Sequence, residues 1–159
     1  MTDAPYLSPP LEIESRFLDH NGHVNMAYHL VLVDEALELA LAPIKGDGYV
    51  EDRGMTTFAA EMHVRYLCEI NMGDEIRGRV RFVAADAKRT HWVVELLRTA
   101  DGVVTTTAEG VSLSVDVGSR KVAPFPADVA ERLNAAVQHD ADGAAGLDWL
   151  GRHVAMKKD

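Results

Sequence analysis

The chain has 159 residues, 47% hydrophobic and 26% charged, with a formal net charge of −9 at pH 7. This length suits one core and the composition an ordinary globular protein, while the excess of carboxylates opposes binding to a phosphate backbone and so argues against a nucleic-acid partner. A single cysteine (Cys68) forms no intramolecular disulfide, the N-terminus lacks a signal-type run, and no stretch reaches the roughly 20 apolar residues of a bilayer span, so a cytoplasmic protein without membrane association is expected.

In chain order, residues 1–10 carry three prolines and read as an extended lead-in. Residues 11–18 alternate in strand fashion from Leu11 to Leu18. Asp19-His20-Asn21-Gly22-His23 follows as a loop of turn formers, with Gly22 suited to positive φ. Leu30, Val33, Leu37 and Leu41 share one face of a helix predicted over 25–41, capped by Asn25, ended by Pro43, Gly46 and Gly48, and apolar enough to be buried.

Beyond Gly54 the period becomes two. Phe58, Ala60, Met62, Val64, Tyr66, Cys68 and Ile70 fall on one expected face of a strand, and Glu61, His63, Arg65 and Glu69 on the other. Strands over 75–84, 90–99 and 103–115 follow, joined by turns at Asp86-Ala87-Lys88 and Asp101-Gly102. Arg77, Arg79 and Arg81 predict a wet face on the second of these four strands. After Pro124-Phe125-Pro126, Val129, Leu133 and Val137 predict a helix over 127–137, with a partly helical tail over 138–159. The order defines an α+β domain whose antiparallel sheet must wrap the one apolar helix, and its edge strands favour pairing with a second subunit.

The richest segment is D-H-N-G-H-V-N-M-A-Y, from Asp19 to Tyr28. It sets a carboxylate and an imidazole beside the N-terminus of a buried helix, where free N–H groups and the dipole favour a developing oxyanion. Taken alone, Asp19 is either a turn residue or a catalyst, His23 either orients the loop or meets the substrate, and Tyr28 either packs in the core or touches ligand. Two loop histidines and Asp19 without a third-ligand pattern do not make a metal site. Serine-hydrolase, P-loop and dinucleotide motifs do not occur.

The segment resembles the active-site signature of the 4-hydroxybenzoyl-CoA thioesterase-like hotdog family, and the resemblance runs over residues 11–137. It continues through Glu61-Met62-His63-Val64-Arg65-Tyr66-Leu67, Gly73-Asp74, Thr107-Ala108-Glu109 and Arg120-Lys121. It implies a hotdog domain over 11–137 that hydrolyses a small acyl-CoA, with Asp19 as nucleophile or general base, and His23 and Asn25 completing the catalytic set. Gly22, Val24, Met26, Tyr28, Glu61 and His63 would meet substrate, although Glu61 and His63 equally suit a polar subunit interface. Lys88, Arg89, Arg120 and Lys121 are candidates for the coenzyme A phosphates. No cofactor is implied beyond the coenzyme A of the substrate, and a homodimer or dimer of dimers is expected. Glu61-x-His63 with Lys88-Arg89-x-His91 also resembles the betainyl-CoA thioesterases of carnitine breakdown. Met26 stands where many relatives carry a second Asn. A hotdog enoyl-CoA hydratase, whose signature resembles D-x-N-P-x-H, and a non-catalytic acyl-thioester binding protein are the alternatives.

Overall fold

The apolar helix forms and outruns its sequence signals. In the computed structural model, which describes residues 4–156, α1 spans Met26–Lys45, with Asn25 as its N-cap accepting from Ala27 N. Pro43 lies inside the last turn, where it forfeits one backbone donor without ending the helix. The stop comes at Gly46, which takes φ 77° and donates to Ala42 O. Leu32, Val33, Ala36, Leu37, Ala40, Leu41 and Ile44 are buried on this helix. Each large apolar side chain so buried contributes about 1.5–3 kcal/mol.

The helix is covered by an antiparallel sheet of β1 (Tyr6–Leu7), β2 (Met55–Tyr66), β3 (Ile76–Ala85), β4 (Arg89–Arg98), β5 (Val103–Asp116) and β6 (Lys121–Val122), in the order β1-β3-β4-β5-β2 with β6 beside β5. Gly78 on β3 meets Ala36 on α1 so closely that a Cβ there would overlap it. Phe82, Trp92, Val94, Leu96 and Ala108 complete the core under the helix.

Four sequence expectations change. Residues 11–18 are not a strand: Leu11 makes one bridge to Ile76, and Ser15–Phe17 is a 3-10 turn. The first strand instead lies in the lead-in, where Tyr6 and Leu7 pair with Val80 and Arg79. Pro9 and Pro10, lacking N–H groups, cannot donate in the ladder between these two contacts.

The strand predicted over 58–70 starts at Met55, ends at Tyr66 and carries a bulge between Ala59 and Glu61. The extra residue reverses the alternation. Phe58, Glu61, His63 and Arg65 pair with Leu113, Val111, Glu109 and Thr107, alternate residues of β5, and therefore share the outer face. Phe58 thus parts from Met62, Val64 and Tyr66, which face the helix side.

The face of Arg77, Arg79 and Arg81 is not open to water as expected. Arg79 and Arg81 both donate to Glu95 at 2.8 Å, and Glu95 is buried. The terminal helix is the cause: α2 runs Ala127–Ala145, past the predicted end at 137. Asp140 on α2 accepts from Phe82 N at 2.8 Å, which covers the edge of β3 beyond the reach of β1, and Gly143 packs on Arg81. The following segment crosses the outer face, where Arg65 lies over the ring of buried Trp149 and Gly151 N donates to Glu109.

Candidate active site

The loop before α1 is tied at both ends. Asp19 N donates to His23 O, Gly22 N donates to Asp19 O, and Gly22 takes φ 78° to close the turn. Val24 N donates to Ile70 O and Asn25 N to Phe17 O, which fixes the helix entry against the sheet. Tyr28 stacks on Phe17 with centroids 4.5 Å apart, a packing role.

This scaffold turns the Asp19 carboxylate into a prepared anion. Its Oδ1 accepts from Asn21 N at 2.8 Å and His23 N at 3.3 Å. The Asn21 amide, followed by that of His23 and the charges of His20 and His23, outweighs the smaller effect of desolvation and holds the carboxyl below its ordinary range. Among the described residues Oδ2 has no partner, and neither does the His23 ring. At the helix start, Ala27 N is taken by Asn25 Oδ1, and Tyr28 N and His29 N turn to Asn25 O. Met26 N keeps no partner among the described residues, the condition of an oxyanion donor.

Asp19, His23, Val24 and Met26 line one open cavity of about 390 Å³, completed by His29 from α1, by Tyr66 at the end of β2, and by Leu67, Cys68 and Glu69 just beyond it. Four predicted site residues therefore meet. Gly22 shapes the loop, and Asn25 caps the helix through its Oδ1.

The sequence reading missed His29 on α1 and the role of Tyr66 on β2. His29 is 4% exposed, its Nδ1 lies 2.7 Å from Thr106 Oγ1, and burial lowers its pKa despite an opposing backbone hydrogen bond at Val24. Tyr66 meets the His29 ring edge-on with centroids 5.1 Å apart, and its hydroxyl donates to Met26 O at 3.0 Å. A polar ring on an otherwise apolar helix face was the available signal for His29. Tyr66 carried none, because its role depends on strand register.

The remaining candidates sit elsewhere in the chain. Glu61 and His63 line a second groove with His91, Glu109 and Arg152 on the outer face. Arg89 pairs with Asp86 in an exposed turn, and Lys88 O accepts from Ser114 N. Lys121 lies opposite Asp116 in the backbone ladder between β6 and β5, and Arg120 holds φ 56° in the turn just before it. Thr106 marks the Asp19 end of β5 and Ser114 the basic end, about 26 Å apart at about 3.3 Å per residue. Within the chain these basic groups do not join the Asp19 cavity.

Residues 14–133 match the Thioesterase-like superfamily, and the chain belongs to it. Over 150 residues it is 30% identical to the L-carnitine dehydrogenase/betainyl-CoA thioesterase of Rhizobium meliloti, covering 92% of this chain and 29% of that longer protein. It is 28% identical to the betainyl-CoA thioesterase of Pseudomonas aeruginosa, covering 75% of this chain and 76% of that one. In structure it resembles a hypothetical Staphylococcus aureus protein solved in complex with CoA, with TM-score 0.86, 21% identity, and 97% and 98% of the two chains covered. The sheet wrapped around one long helix is a hotdog fold.

Proposed function

We propose that the protein hydrolyses a small acyl-CoA to the free acid and coenzyme A. The observation that carries this reading is the pairing, on one cavity, of an ionised Asp19 with a free carboxylate oxygen and an unpartnered Met26 N–H at the start of α1. The thioester carbonyl accepts from Met26 N and gains the positive end of the helix dipole. Asp19 Oδ2 either attacks the carbonyl carbon, giving an anhydride that water cleaves, or removes a proton from the attacking water. The C–S bond breaks, the sulfur leaves as thiolate and takes up a proton, and His23 stands at the cavity rim as a proton carrier. None of these steps asks for a cofactor.

The acyl group in this reading is compact and positively charged. Asp19 and Glu69, both held below their ordinary carboxyl range, line the cavity beside the half-exposed ring of Tyr66, and among the described residues the lining holds no lysine or arginine. Carboxylates and an aromatic face suit a quaternary ammonium, in keeping with the betainyl-CoA thioesterase names of the relatives.

The working unit in this reading is a homodimer joined through β2. This strand ends the sheet with Phe58, Met62 and Tyr66 exposed along its length. Antiparallel pairing of two β2 edges about a two-fold axis sets the Asp19 end of one subunit beside the Phe58 and Arg120 end of the other. The basic residues then have a route to the coenzyme A phosphates. Among the described residues no helix is long and apolar enough to cross a membrane, and the half-buried thiol of Cys68 suits a reducing cytoplasm.

The test is thiol release from a panel of acetyl-, butyryl-, crotonyl- and betainyl-CoA, with light scattering on the same sample. Betainyl-CoA should turn over fastest, by a dimer. Loss of crotonyl absorbance without thiol release would establish a hydratase instead, and binding without either reaction a carrier.

A further inference from the structure

The polar ring of His29 is unexplained by packing. It sits one turn into a helix that otherwise buries apolar side chains, and a leucine there would avoid the desolvation of two ring nitrogens. Apart from a backbone hydrogen bond at Val24, its contacts are with the sheet end that faces Met26. His29 Nδ1 is 2.7 Å from Thr106 Oγ1, and Thr106 is fully buried. Thr106 Oγ1 in turn lies 3.5 Å from Thr105 Oγ1, which donates to Leu96 O at 3.1 Å, so the hydroxyl on His29 is backed by β4. Tyr66, the cross-strand partner of Thr106, packs edge-on against the imidazole and donates to Met26 O. Three elements thus converge on the first turn of α1, the turn that carries the free N–H.

We propose that His29 and Tyr66 are positioning residues for the thioester carbonyl: through Thr106 and the Met26 carbonyl they clamp the first turn of α1 to the sheet and hold the Met26 N–H where the oxyanion forms. The inference rests on the thioesterase reading and adds the device that aims the donor. A donor aimed by a rigid sheet needs no reorganisation as charge develops, and a displacement of about 1 Å is enough to cost up to about 100-fold in rate. The imidazole acts as a neutral ring, since burial opposes its protonation.

The experiment combines steady-state kinetics with infrared spectroscopy of the bound thioester. Variants are His29→Leu, His29→Asn, Thr106→Val and Tyr66→Phe in the full chain, each also made in the Asp19→Asn background so that betainyl- or acetyl-CoA stays bound while its carbonyl stretch is recorded. His29→Leu, Thr106→Val and Tyr66→Phe should each lower kcat by about 10- to 100-fold with KM within about three-fold. The bound carbonyl should move to higher frequency as polarisation is lost. His29→Asn, which keeps a polar atom near the Nδ1 position, should recover most of both signals. Thr106→Val and Tyr66→Phe are close to isosteric and keep the test usable if His29→Leu does not fold. Unchanged kcat and carbonyl frequency, with only a lower melting temperature, would reduce the clamp to a fold contact and overturn the proposal while leaving the thioesterase reading intact. Absence of thiol release by the unmodified protein from every acyl-CoA would overturn both.

Discussion

Among the described places where a carboxylate lies beside an imidazole, the Asp19 loop and the outer-face Glu109 end in opposite states. At the Asp19 loop, one carboxylate oxygen is spent on the amides of Asn21 and His23 and the other is left open to a cavity at a helix N-terminus. On the outer face, Glu109 accepts from His91 Nε2 and from Gly151 N, each at 2.8 Å, so both of its oxygens are committed. The first arrangement leaves an anion available for reaction, and the second uses one to fasten the C-terminal segment to the sheet. Residue type does not separate them. What separates them is which neighbouring donors the fold supplies.

The comparison predicts a sharp asymmetry under the same amide substitution. Asp19→Asn keeps volume and loop geometry but removes the anion, so kcat for thiol release should fall by about 10² to 10⁴, with the melting temperature within a few degrees of the parent. Glu109→Gln should do the reverse. One oxygen becomes an amide donor facing Gly151 N, costing about 1–3 kcal/mol of stability in a chemical denaturation curve while kcat stays unchanged. A large kcat loss in Glu109→Gln would move chemistry to the outer groove and break the distinction.

Acid sharpens the contrast at the Asp19 end. Burial keeps the folded pKa of His29 below its ordinary value of 6.5, so below that pH the unfolded chain binds more protons than the folded one and stability falls as pH drops. Thermal melts taken from about pH 7.5 to about pH 5.5 should show a declining melting temperature, less steep in His29→Asn. Asp19, with its pKa lowered by backbone donors, stays ionised through this window, and loss of activity there would track His29. The smallest effect belongs to Arg120, which reaches coenzyme A only in the proposed dimer. Arg120→Ala removes one exposed cation, worth at most about 1 kcal/mol, so KM for an acyl-CoA should rise by no more than about five-fold with kcat unchanged.

The sequence determined the elements whose signals are local. Asn25 caps α1, Gly22 closes the Asp19 turn, and the periodicities of two and 3.6 located the strands of the meander and the buried helix, because cap chemistry, positive φ and amphipathic repeat each act over a few residues. Tertiary structure decided what depends on distant partners. The bulge beside Ala60 put Phe58 on the outer face, since register is set by pairing with β5 rather than by the strand itself. Residues 11–18 lost their strand because β3 took Tyr6 and Leu7 instead. Arg81 lost most of its water because α2 ran on to Ala145 and packed Gly143 against it, and Arg79 turned to the buried Glu95. At the site, the loop half was legible as a run of adjacent residues, whereas His29, Thr106 and Tyr66 meet only after three elements pack, and no spacing along the chain records that meeting.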